Sequence, residues 1–243
     1  MLNSLTLLKS EMKRLVKYKI LTISLAVSVL WMAMLYLIGR ENAAGFVGLF
    51  IALDASVMSI IMLGASLFFE REENTLKPLL VTPVSVAQII GVKVLSSIYV
   101  ALQSAVLVSL FVRFVMDIEV QFVALILLVA LIATVHSMIG FFLAMTAKDF
   151  TGLLVNMILY TFIFAIPSLL VTLDVISGWV ETLLWISPIQ DALVYMNMVF
   201  GVEETLTFGS IEFILSTLYL ALLSGVLYGT FIHPNYPGAA VKE

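Results

Sequence analysis

Residues 68–95 read FFEREENTLKPLLVTPVSVAQIIGVKVL, placing four consecutive charges, two prolines and a group of leucines in a chain that is otherwise largely hydrocarbon. Apolar runs flank this break on both sides, at 46–69 and 94–116. Each is long enough to cross a bilayer, whose hydrocarbon core of roughly 30 Å takes about 20 apolar residues of helix. The break is therefore a loop between two membrane spans, and the same reading extends along the chain. Further apolar runs lie at 20–38, 122–147, 150–173 and 211–232, which makes six spans. Short polar gaps separate most of them: GRENAA at 39–44, DIEV at 117–120 and AKDF at 147–150. Only the connection at 174–210 is long.

Composition agrees. Of 243 residues, 62% are hydrophobic and 12% charged, about half the charged share of a soluble domain, which is roughly 25%. Little chain is left over for a separate catalytic domain. The absence of cysteine excludes disulfides, thiolate metal sites and cysteine nucleophiles. A net charge of -4 argues against a nucleic-acid partner. No P-loop, G-x-S-x-G elbow or H-E-x-x-H helix occurs, and His136 and His233 are too isolated to hold a metal.

Residues 1–19 set Leu5, Leu8, Met12 and Leu15 at helical spacing among Lys9, Lys13, Arg14 and Lys17. The pattern predicts a helix lying in the membrane interface rather than a signal peptide, because the following run is span-length and no small-x-small cleavage site follows it. Ser85 with Gln88 forms an S-x-x-Q capping box that starts the third span's helix, with Lys93 reaching the headgroups. Thr75, with Pro78 in the first turn after it, and Thr82, followed directly by Pro83, are candidates to start two short helical pieces within the break. Leu76, Leu79 and Leu80 then share one face that needs a cover: the interface, another part of this chain, or a partner protein.

Six spans put both termini on one side. That side holds Lys9, Lys13, Arg14, Lys17, Lys19, Arg71, Lys77, Lys93, Lys148 and Lys242; the other holds Arg40 and Arg113. The positive-inside rule places the termini and the 70–93 segment in the cytoplasm. The expectation is an all-α integral membrane protein, one transmembrane domain over 1–243, in a cell (inner) membrane.

The segment E70-R-E-E-N-T-L-K-P-L-L-V-T-P83, followed by S85-V-A-Q-I-I-G-V-K93, resembles the signature after the second span in permease subunits of the type-2 class of ABC exporters. There an E-R-E-x-G-T-L-x-x-L-L-x-T-P pattern precedes a lysine at the start of the third span. The amphipathic N-terminus, the six spans and the long fifth connection with W185-I-S-P-I-Q-D-A-L193 are also similar to that family. The resemblance covers essentially the whole chain; this chain departs from it at Asn74, commonly Gly, and at Pro78.

The resemblance implies a half-transporter whose 70–93 segment is a coupling helix seated in a separate ABC ATP-binding subunit. A second permease chain, identical or different, completes the membrane part. ATP and magnesium belong to the partner, and no cofactor to this chain. The implied coupling residues are Glu70, Arg71, Glu72, Thr75, Leu76, Leu79, Leu80, Thr82 and Pro83. Short outer helices between spans five and six either form a lid or anchor at the interface.

Polar residues inside the spans are the remaining candidates, since a charge in hydrocarbon is costly and tends to mark a pathway. Asp54, Gln103, His136, Asn156 and Tyr160 are candidates for a substrate path. For Asp54 the alternatives are a substrate or proton contact, a protonated carboxyl, or an ion pair with Arg113. A rival function is a secondary transporter or a membrane-integral enzyme built on Asp54, the enzyme pairing it with His136. The sparsely charged interior suggests a hydrophobic or amphipathic substrate.

Overall fold

The computed structural model describes residues 4–76, 83–173, 175–202 and 207–241. Those residues are helical and turn, with no strand among them, and six helices are long and apolar enough to cross a membrane. The helices are α1 (Ser4–Lys17), α2 (Ile20–Ile38), α3 (Arg40–Glu72), α4 (Val86–Val115) and α5 (Phe122–Thr146). Next come α6 (Phe150–Tyr160, continuing through Thr161–Ala165 to Ile166–Thr172), α7 (Trp179–Leu184) and α8 (Pro188–Val199). Last is α9, which runs from Ile211–Val226 through Leu227–Ile232 to His233–Val241. The end of the bundle that carries α1 and the end of α3 is called the near side, and the opposite end the far side.

α3 is the axis of the bundle. In its most apolar window 72% of residues are buried, against 17% for α2 and 6% for α9. Small residues explain why it can sit in the middle: Ala52, Ala55, Ser56 and Ser59 are all buried and admit neighbouring backbones. The closest approach is to α5, where a Cβ on Gly140 would meet the Ile60 Cα and carbonyl oxygen at 3.0 Å. α4 and α8 complete the shell around α3, while α2 packs on α3 and α4. α6 and α9 both lie against α5.

Helix limits follow local chemistry more than hydropathy. The polar gap at 39–44 is not a loop; the chain turns at Gly39 alone, whose φ of 84° a glycine adopts without strain, and α3 starts at Arg40. At 33 residues α3 is about 50 Å long, well beyond a hydrocarbon core of roughly 30 Å. Its near end closes with a Schellman motif. Asn74 takes the left-handed conformation at φ 54°, its N–H donates to the Arg71 carbonyl at 2.9 Å, and the Thr75 N–H reaches the Glu70 carbonyl at 3.0 Å. Asparagine tolerates that conformation where most residues do not, and so fills a place usually taken by glycine. Across the break the capping box forms: Gln88 N–H donates to Ser85 Oγ at 3.2 Å and Ser85 N–H to Gln88 Oε1 at 3.0 Å.

The fifth and sixth spans are each interrupted by a π-helical turn, Thr161–Ala165 and Leu227–Ile232. Each turn ends two residues before a proline, Pro167 and Pro234. A proline ring clashes with the carbonyl four residues back and removes an N–H from the ladder. Those carbonyls belong to Ile163 and Thr230, each inside its π turn, so the widened turn accommodates the ring.

The 174–210 connection dips into the bundle. Ser187, at the turn between α7 and α8, lies 3.4 Å from Ser168 of α6, about 6 Å below that helix's end by helical rise. The C-terminal end of α8 returns to the rim, where the Val199 carbonyl accepts the Gln121 N–H at 3.3 Å. Trp179 and Trp185 are exposed, whereas Tyr195 of α8 and Phe200 just after it are buried against the bundle.

Candidate functional site

At the near side, four helices meet in a buried ionic cluster. Lys93 of α4, with 2% of its side chain exposed, donates to Glu11 of α1 at 2.9 Å, to Ser66 of α3 at 3.2 Å and to Glu70 of α3. Arg14 of α1 also binds Glu70 and approaches Glu11 at 3.4 Å. Two carboxylates face two cations, so the cluster is neutral, which is the condition under which charges are tolerated at low exposure. Tyr236 of α9 is buried beside it. Lys93 therefore does not reach the headgroups. Its stem starts about two turns into α4, and two carboxylates hold it inward.

Glu11 carries no obvious signal in the sequence, since α1 reads as a basic amphipathic helix. Its position between Leu7 and Leu15, four residues from each, sets it on the buried face with them. Outside the cluster, Glu73 binds Lys17 at 2.7 Å and the Tyr18 hydroxyl at 2.9 Å. The bond from Lys17 holds the Glu73 carboxyl below its ordinary range, while burial and the bond to Glu73 push the Tyr18 phenol up to about 12. Partial burial opposes the charge on Arg14, but Glu70 and Glu11 outweigh it and raise the guanidinium further.

The residues proposed for partner coupling divide by exposure. Glu70 is fully buried, Leu76 is 1% exposed and packs within the chain, and Arg71 is half-buried over the Phe68 ring at 5.1 Å. Leu76 thus finds its cover inside this chain. Thr75 donates its hydroxyl to the Glu70 carbonyl at 3.3 Å. Glu72, Thr75 and Pro83 are exposed. Leu79, Leu80 and Thr82, with Pro78, lie outside the described residues.

The intramembrane candidates are also not one site. Asp54 is 6% exposed and accepts the Trp31 indole N–H at 3.4 Å, beside the Ser28–Ser104 bond of 2.8 Å between α2 and α4. It does not pair with Arg113, which is exposed at the far side, where the ion pair is instead Arg40 with Asp117 at 2.7 Å. Gln103 sits on α4 with its amide nitrogen unpartnered among the described residues. His136 is buried in α5 and engages the Ile132 carbonyl through Nδ1 at 2.8 Å. It shares no partner with Asp54. Asn156 and Tyr160 do share a site: both line a cleft of about 590 Å³ between α5, α6 and α9.

A second polar group joins α8 to α9. Asp191 accepts the Ser216 hydroxyl at 2.7 Å, and the Tyr195 hydroxyl lies 2.8 Å from Ser216 and 2.9 Å from Thr217. The other Asp191 oxygen is buried without a partner among the described residues. Burial raises the Asp191 carboxyl to about 7, against the opposing bond from Ser216.

The family model for ABC-2 type transporters matches residues 4–200, from the first turn of α1 to the end of α8. No curated protein matches the chain.

Proposed function

The chain belongs to the ABC-2 type transporter family, and from that premise we propose that it is the membrane-spanning half of an ATP-driven exporter, energised by a separate ATP-binding subunit. As a member of that family it is a multi-pass membrane transport subunit and not a catalytic one. The finer reading is ours. The near side is cytoplasmic, the ATPase with its ATP and magnesium docks there, a second permease chain pairs with this one in the cell membrane, and a hydrophobic or amphipathic substrate leaves outward.

The ionic cluster is the observation that carries this reading. A push on the 73–85 segment meets helices that cannot yield independently: α3 ends at Glu72, α4 begins at Val86, and Glu70, Lys93, Glu11 and Arg14 bind both to α1. Such a joint suits rigid-body transfer of a partner's motion into the bundle, provided the partner binds the two bundle arrangements with different affinity. In this reading Glu72, Thr75, Leu79, Leu80, Thr82 and Pro83 meet the ATPase. Glu70, Arg71 and Leu76 are positioning residues that act from beneath.

Co-purification under mild extraction tests the proposal. A P-loop ATPase is expected to accompany the chain, and Leu79→Asp with Leu80→Asp is expected to release it while the bundle stays folded. Leu76→Asp, which places a charge in the core, is expected to unfold the near side instead. Absence of any ATPase, or ATP-independent transport lost on Asp54→Asn, would overturn the exporter reading in favour of an ion-driven one.

A further inference from the structure

The cleft between α5, α6 and α9 has features that the packing of the bundle does not require. Its volume of about 590 Å³ falls within the range of small-molecule sites, roughly 300–1,000 Å³. No charged residue lines it; the polar side chains are Thr146, Asn156, Tyr160 and Tyr219. Two of these are committed. Thr146 donates to carbonyls of its own helix at 3.0 Å, and the Tyr219 hydroxyl donates to the Ile186 carbonyl at 2.7 Å.

The other two have donors to spare. Asn156 reaches the Leu143 carbonyl only at 3.5 Å, at the limit of a hydrogen bond. Tyr160 is 8% exposed, and its hydroxyl has no partner among the described residues. A buried hydroxyl without a partner loses its hydration for nothing in return, so one carried by a residue that lines a cavity gains from an acceptor brought within its reach. Asn156 and Tyr160 are four residues apart on one helix face, which puts their Cβ atoms roughly 5–6 Å from each other. One occupant of the cleft can therefore meet both side chains.

Two of the walls carry π turns. α6 and α9 pack on α5, and each borders the cleft with residues of its π turn: Ile163 and Phe164 on one side, Leu227 on the other. Leu159 and Ile163 line the cleft yet are 53% and 59% exposed, so it opens on the flank of the bundle through apolar side chains.

We infer that this cleft binds an uncharged amphipathic molecule taken from the bilayer, its apolar body against α5 and its acceptor oxygens on Asn156 and Tyr160. The inference needs the chain to be membrane-embedded. It does not need ATP-driven export, so failure of either reading leaves the other standing.

The test uses the full chain in lipid nanodiscs with a monoacylglycerol carrying a mid-chain diazirine. A diazirine fatty acid supplies the anionic comparison and a diazirine alkane the comparison without acceptors. Saturable labelling of peptides covering residues 139–164 and 219–227 is expected for the monoacylglycerol alone. Tyr160→Phe with Asn156→Leu should lower that labelling roughly tenfold, the worth of a modest hydrogen bond, and leave alkane labelling unchanged. Ile163→Trp should block it by filling the cleft. Equal labelling of the exposed face of α2, equal labelling by the fatty acid, or indifference to all three substitutions would overturn the assignment. The chain has no cysteine, so Leu159→Cys also reports a competing occupant cleanly. Efficient disulfide formation between two copies would show the cleft covered by a second chain, and that too would overturn it.

Discussion

Lys93→Met removes one charge of the near-side cluster with little change in volume. The lysine is 2% exposed and touches two carboxylates, Glu11 and Glu70, which in its absence share only Arg14. A neutral group of four charges becomes a buried group of three with a net charge of one. Removing one partner of a buried pair typically costs about 3–5 kcal/mol, because the desolvated charge left behind is uncompensated. At about 1.4 kcal/mol per decade, that is a roughly 10²–10³-fold loss in the folded-to-unfolded ratio. Lys93→Met with Glu70→Gln restores neutrality, with Glu11 and Arg14 left to each other, and should recover about 1–3 kcal/mol. Reversible unfolding in mixed micelles, titrated with denaturing detergent and read by tryptophan fluorescence and circular dichroism, measures all three proteins. If Lys93→Met lies within about 1 kcal/mol of the parent, or the second substitution adds to the damage, the cluster is not holding the near side together.

Three other substitutions probe separate parts of the molecule. Gly140→Val places methyl groups where a Cβ alone already meets the Ile60 backbone at 3.0 Å, and should cost about 1–3 kcal/mol, with Gly140→Ala nearer the lower end; unchanged unfolding would show that α3 and α5 separate freely. Asp191 binds its proton more tightly when folded, with its carboxyl near about 7 against an ordinary 3.8, so stability should fall as pH rises between those values and level off above. Asp191→Asn should flatten that slope, and a profile still sloping over the same window would assign it to other groups. Asp54→Asn should leave stability within about 1 kcal/mol or raise it, because the carboxylate's close partner is an indole N–H at 3.4 Å and not a cation; a loss well beyond that would indicate an ion partner.

The spans were legible because hydrocarbon demands a long uninterrupted apolar helix, and a chain with 12% charged residues has few ways to hide a break. The E-R-E-E-N-T-L motif was legible as a family resemblance, and the left-handed Asn74 fits the chemistry that its replacement of glycine implied. The roles within the motif were harder. Glu70 and Glu72 look alike in sequence, yet one is fully buried and the other exposed, a difference set by which face of α3 turns toward α1 and α4. The substrate candidates met the same limit. Asp54, His136 and Tyr160 all read as polar residues in lipid, but it is Tyr160, together with Asn156, that lines the cleft between α5, α6 and α9.

The sequence by itself determined the class of molecule, the six helices long and apolar enough to cross a membrane, and the polar break between the second and third of them, because those depend on local hydropathy and local turn chemistry. Only the tertiary structure decided that Lys93 turns inward to Glu11 and Glu70, that α8 packs back against α3, and that Asn156 and Tyr160 line one cleft. The physical reason is that a charge or hydroxyl in a low-dielectric interior is defined by its partner. Those partners lie tens of residues away along the chain, where no periodicity records them.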